Sequence, residues 1–131
     1  MKLDWDLVRE VLTEIEEMSA LEKNEASFEA DYDGETDADT RARHVLLLNE
    51  AGFVSGIRAD ESARDRLMLP DLTWEGHQLL ATIRSQSVWE RLKTTAKEKG
   101  LALSFDLVKI GGKLALEQIL KGGASDTTLS A

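Results

Sequence analysis

Two histidines, a surplus of carboxylates and a scatter of arginines are the groups through which this sequence could do chemistry. His44 and His77 could in principle share a metal with a nearby Asp or Glu. Helical metal sites normally carry their ligands at tight spacing such as H-E-x-x-H, however, and these two are far apart. The plainer reading packs each imidazole on the domain, with one ring nitrogen hydrogen-bonded to a carboxylate or carbonyl; nothing supports a pH switch through either. Paired carboxylates (Glu16–Glu17, Asp37–Asp39, Asp60–Glu61) fall on helix exteriors and loop tips. Water equalises acids there, whereas acid–base catalysis needs a cleft that pushes two pKa values apart. No serine sits in a G-x-S-x-G elbow, and there is no cysteine to act as nucleophile or zinc thiolate. Gly111–Gly112 lacks the lysine and Ser/Thr of a phosphate loop and lies in an apolar stretch. A pair of helical glycines costs roughly 1 kcal/mol each against alanine and reads as a kink or a close helix–helix approach. The expectation is no catalytic residue, no metal and no cofactor.

The arginines suggest a different chemistry. Arg41, Arg43 and Asn49 fall on one predicted helix, and Arg58, Arg64 and Arg66 on the ribbon that follows it. Arginine can grip phosphate, read guanine in the major groove or enter the minor groove. Against DNA binding, Asp37 and Asp39 occupy the first turn of the same helix, where free N–H groups would otherwise favour phosphate. A monomer would bind duplex DNA weakly, and a homodimer presenting two such faces would do better.

Charge distribution sharpens the point. The chain of 131 residues carries net charge −9; residues 1–40 hold fourteen Asp/Glu against three Lys/Arg, and the remainder eleven against thirteen. An acidic first third repels phosphate backbones and anionic membranes. It reads either as a solvating face or as a surface, with residues 22–39 facing the partner, that docks a basic partner or mimics nucleic acid. With 42 % hydrophobic residues a real core is available. The N-terminus lacks a signal pattern and no apolar run is long enough to span a membrane, so the expected setting is cytoplasmic.

The elements that must position these groups follow from periodicity. Residues 4–18 read as an amphipathic helix with Leu7, Val8, Val11, Leu12, Ile15 and Met18 on one face and Asp4 or Asp6 as cap. Residues 19–26 read as a loop, and 27–32 as a short alternating strand closed by the Asp33–Gly34 turn. A helix is predicted over 37–51, capped by Thr36 or Asp37 and ended by Gly52, with Ala42, Val45, Leu46, Leu48 and Ala51 facing the core. Strands at 53–59 and 66–70, the second stopped by Pro70, flank a charged tip at 60–65. Helices are predicted over 72–84 with Thr73 as cap, over 87–100 with a Ser87–Glu90 capping box and a Gly100 stop, and over 104–123. Trp5, Trp74 and Trp89 lie near helix starts and read as core rather than as a stacking platform.

Helix, short strand, helix, ribbon, helix is the element order of a winged-helix domain. Its short middle helix is not legible between residues 19 and 36, so the helix-turn-helix reads as degenerate. The predicted architecture is mainly α with a small β-ribbon (α+β): a winged-helix-like core over 1–84, C-terminal helices over 85–123 and a tail over 124–131. Leu107, Ile110, Leu114 and Ile119 make the last helix apolar over more than one stripe, which suggests packing on the core or a homodimer interface.

Three segments carry a family resemblance: DLVREVLTEIEE, RHVLLLNEAGFVSGI and LTWEGHQLLATIRSQSVWERLK. In them the chain resembles a group of short phage and prophage proteins, the domain of unknown function 2513, over most of residues 4–99. LTWEGHQLL also resembles the wing-to-helix junction of winged-helix regulators. The resemblance implies a fold and a phage setting but no catalytic residues. Two functions remain: a dimeric winged-helix regulator that binds duplex DNA, or a non-enzymatic module that binds a host protein through its acidic surface.

Overall fold

Apolar spacing and a good cap produce α1 (Trp5–Glu17) as predicted: the Asp4 carboxylate accepts from the N–H groups of Asp6 and Leu7, and Val8, Val11, Leu12 and Ile15 are buried. The computed structural model describes residues 2–114 and Glu117. These form two compact units divided between Leu80 and Ala81, within α4.

In the first unit, the predicted loop at 19–26 is instead a short helix, α2 (Ala20–Glu25). It buries no residue, so it leaves no apolar period to read. What sustains it is a reciprocal capping box, in which Ser19 Oγ accepts from the Glu22 N–H and the Glu22 carboxylate accepts from the Ser19 N–H. Strand β1 (Ser27–Asp31) follows, then α3 (Asp37–Glu50), β2 (Val54–Asp60) and β3 (Arg64–Leu72). Because β1 intervenes between α2 and α3, these two helices do not form a helix-turn-helix ahead of the ribbon.

The three strands form one antiparallel sheet in the order β1-β3-β2. The expected ribbon stop at Pro70 is a correction, since Pro70 lies inside the central strand. It is tolerated because β1 pairing ends at Met68 and the β2 pairing slips between Ser55 and Ile57, so Pro70 needs no ladder donor there. Leu69, in the same bulge, adopts a left-handed φ of 53°. Helix α3 packs on all three strands and on α1, burying Ala42, Val45, Leu46 and Leu48, while Ala51 is exposed as the C-cap rather than facing the core.

Helix α4 (Trp74–Arg84) is capped by Thr73, whose hydroxyl accepts from the Gly76 N–H. In the second unit α5 (Gln86–Glu98) is capped by Ser85, not Ser87; Ser87 already lies inside the helix, which Gly100 ends at φ 67°. A sixth helix, α6, is described over residues 105–114. Its glycines mark a close approach: a Cβ on Gly111 would collide with Leu92 of α5, and one on Gly112 with Thr82 of α4. Ile119 and the tail 124–131 lie outside the described residues. The protein is thus mainly α with a small antiparallel sheet, an α+β fold.

Candidate functional site

The sequence singles out Arg41, Arg43 and Asn49 on α3 and Arg58, Arg64 and Arg66 on the β2–β3 ribbon, and the structure gives each of these side chains an internal partner, although the buried Arg66 Nε makes no hydrogen bond. Arg41 reaches across to α1, donating to Glu14 at 2.5 Å and Glu10 at 3.3 Å. The Glu14 hydrogen bond, outweighing partial burial, raises the Arg41 pKa above its ordinary value. Arg43 donates to the backbone carbonyls of Asp31 at 2.6 Å and Tyr32 at 3.4 Å, closing the end of β1. Asn49 donates to the Val54 carbonyl at 2.8 Å and accepts from Arg58.

The ribbon arginines do not share a face. Arg58 stands opposite Leu67, whereas Arg66 stands opposite Ala59 and Glu29 in alternate register, so they project from opposite sides of the sheet. Arg58 binds Asp65 at 2.5 Å, with Glu50 at 3.5 Å. Burial of the guanidinium works against its charge, but the Asp65 hydrogen bond and the surrounding carboxylates prevail and raise its pKa. Arg64 binds Asp31 at 2.7 Å and Glu29 at 2.9 Å, which raises its pKa too, chiefly through the Asp31 hydrogen bond. Arg66 binds Glu61 and lies 3.4 Å from Glu29. Asp60 and Asp65 face one another across the hairpin; hydrogen bonding to Asp65 pushes the Asp60 pKa up.

At the start of α3 the Asp39 carboxylate is buried and accepts from the Asp31 N–H (3.0 Å), the Thr36 N–H (3.2 Å) and the Thr36 hydroxyl (2.6 Å). The Thr36 hydroxyl bond first, then the Asp31 N–H, hold its pKa below the ordinary carboxylate value against the effect of burial. Gly34 leaves the space this carboxylate fills, since a Cβ there would overlap it. The turn that would receive a phosphate is therefore occupied by the protein's own anion.

His44 is fully buried, with Nδ1–H donating to the Thr40 carbonyl at 2.8 Å and Nε2 accepting the Asp4 N–H at 3.0 Å. The Nε2 bond ties the α1 cap to α3, whereas the Nδ1 bond stays within α3; together they select the Nδ1–H tautomer. His77 is half-exposed, 3.8 Å from Glu16. Among the described residues no cluster of three or more His, Asp or Glu could hold a metal ion. Trp74 departs from the expected core role, being 72 % exposed, whereas Trp5 and Trp89 are half-buried. Of the apolar residues expected at an interface, Leu107 is half-buried and Ile110 and Leu114 are 62 % and 55 % exposed.

Sequence reasoning missed the carboxylates that pair with the arginines; the available signals were the acid surplus of residues 1–40 for Arg41 and Arg64, and the charged tip at 60–65 for Arg58 and Arg66. After Arg41 takes Glu14 and Glu10, an open cleft of about 630 Å³ between α1, α2 and α3 still carries Glu17 and Glu22, against Arg9.

The distinctive motif segments meet at the base of the sheet. The Thr73 N–H donates to the Phe53 carbonyl (3.1 Å), its hydroxyl donates to the Gly52 carbonyl (2.6 Å), and the Phe53 N–H returns to Leu48 (2.9 Å). Gly76 packs so closely on the Phe53 carbonyl that a Cβ would overlap it. EAGF and LTWEGH are thus two sides of one joint. The family of hypothetical proteins DUF2513 matches residues 2–102, a span that holds both sides of it. The chain belongs to the DUF2513 family. The match covers α1 to α5 and stops short of α6. The chain is also similar to a Haemophilus influenzae (strain Rd KW20) protein described as uncharacterized, 38 % identical over 122 residues, covering 92 % of this chain and 99 % of that one. No solved structure matches it. Among the described residues no helix is long and apolar enough to cross a membrane.

Proposed function

We propose that this DUF2513 protein is a non-enzymatic, winged-helix-like interaction module that binds a basic surface of a partner protein through the acidic cleft of α1 and α2. In the setting that the family resemblance implies, it would be a phage or prophage factor acting on a host protein in the cytoplasm. One observation carries the reading: Arg41, Arg43, Arg58, Arg64 and Arg66 are all committed to internal carboxylates or carbonyls. A phosphate would have to compete with a carboxylate for Arg41, Arg58, Arg64 or Arg66; Arg43 alone is held by neutral carbonyls, and the unneutralised surplus on this chain is acidic.

A second reading, a dimeric regulator of duplex DNA, draws support from the β1-β3-β2 sheet order and from α3 directly preceding the β2–β3 ribbon. Fluorescence anisotropy separates the two. Labelled random duplex DNA at low salt should give no saturable change. A labelled Lys/Arg-rich helical peptide should bind in a salt-sensitive way, weakening by about tenfold with Glu17→Lys and little with Glu90→Lys on α5. Equal weakening by both substitutions would reduce the effect to net charge and defeat the cleft; DNA binding lost with Arg41→Ala would favour the regulator.

A further inference from the structure

The α6 helix offers two apolar sides, and only one is used within its own unit. Val108 is buried, and Gly111 and Gly112 admit Leu92 and Thr82. The other side carries Leu107, Ile110 and Leu114, spaced three and four apart, the spacing of a two-helix seam. Ile110 and Leu114 are among the most exposed large apolar residues of the described chain.

The charges beside this seam choose its occupant. Asp106 and Lys113 each immediately precede a seam leucine, so they lie seven residues apart on one edge with opposite signs. Among the described residues no cation pairs with Asp106 and no carboxylate with Lys113. On the other edge, the position a parallel partner would present to Asp106 is Gly111, which has no charge to offer. An antiparallel copy behaves differently. When Leu107 of one chain packs on Ile110 of the other, and the reverse, the same register sets Asp106 of each chain against Lys113 of its mate. Both charges are then satisfied twice by one two-fold axis.

We propose that the Leu107–Ile110–Leu114 face of α6 is an antiparallel homodimer seam whose register is set by Asp106–Lys113 pairs between copies. The seam does not depend on the cleft of α1 and α2. Over the described residues 105–114 the seam runs about 15 Å at 1.5 Å per residue, and its association is read from its concentration dependence.

Sedimentation equilibrium of the whole chain, up to about 200 µM, tests it. The wild-type mass should rise with concentration from 14.5 kDa toward twice that value. Ile110→Glu should abolish the rise, and Asp106→Lys or Lys113→Asp alone should weaken association by about tenfold or more through like-charge contacts. An equimolar mixture of Asp106→Lys and Lys113→Asp should associate again, because each mixed pair restores Lys against Asp. Far-UV circular dichroism checks that each variant is folded; the mixture rests on surface charge alone should Ile110→Glu fail to fold. A monomeric wild type, an undiminished dimer in both charge variants, or a mixture that stays monomeric would each overturn the seam.

Discussion

The two ends of the sheet are held together by different physics. At the base, where α3 runs into β2 and β3 into α4, backbone carbonyls are closed by a backbone N–H and short polar side chains: the Thr73 N–H on Phe53, the Thr73 hydroxyl on Gly52, the Asn49 amide on Val54, with Gly76 against the Phe53 carbonyl. At the tip, Arg58, Arg64 and Arg66 are tied to Asp65, Asp31, Glu29 and Glu61 through long, partly exposed side chains. Base contacts are short, directional and insensitive to salt. Tip contacts are screened and offset by side-chain entropy. The comparison teaches that the segments which stand out in a sequence need not mark chemistry. The EAGF and LTWEGH segments serve the base joint, while the residues that looked functional serve the tip.

The strongest way to break the contrast is Gly76→Val. With a Cβ forced onto the Phe53 carbonyl, α4 cannot dock, and the loss should be about 3 kcal/mol or more in urea unfolding. A milder effect would mean that the base yields more than its geometry allows. Asn49→Ala comes next: it leaves the Val54 carbonyl without its side-chain donor, removes a long contact from Arg58 as well, and should cost about 1–2 kcal/mol, mostly retained at high salt.

Asp39 ties the tip end of β1 to α3 and sharpens the contrast through pH. Because its folded pKa lies below the ordinary value, its contribution is present above the unfolded carboxylate range and lost as pH falls through the folded pKa. Asp39→Asn should therefore lower Tm at neutral pH and narrow its gap to wild type as acid is added, read by thermal circular dichroism between pH 7 and pH 2.5. A gap that stays constant would contradict the assignment. Smallest of all is Arg64→Ala at the tip, expected to move Tm by only about 1–2 °C and by less at high salt.

Much of this fold was legible in the sequence because apolar period and capping chemistry are local. The α1 face, the Thr36 cap of α3, Gly52 and the Thr73 cap were all readable from neighbouring residues. Helix α2 was missed because it buries nothing, although its Ser19–Glu22 box was the same signal accepted, wrongly, at Ser87–Glu90. Pro70 misled because its position beyond the end of β1 depends on pairing that no local window contains. The candidate site was hardest to read. Arg41 with Glu14, and Arg64 with Asp31, join residues about thirty positions apart, and only the folded chain brings them together.

The central claim is that the arginines of α3 and the ribbon are spent inside the protein. The most direct measurement is an NMR titration with short duplex DNA at low salt, following the arginine Nε–H resonances. If the account is right, the Arg41, Arg58 and Arg64 signals remain sharp and unshifted as DNA is added. Saturable shifts at these resonances, reversed by salt, would contradict it and return the α3–ribbon face to DNA.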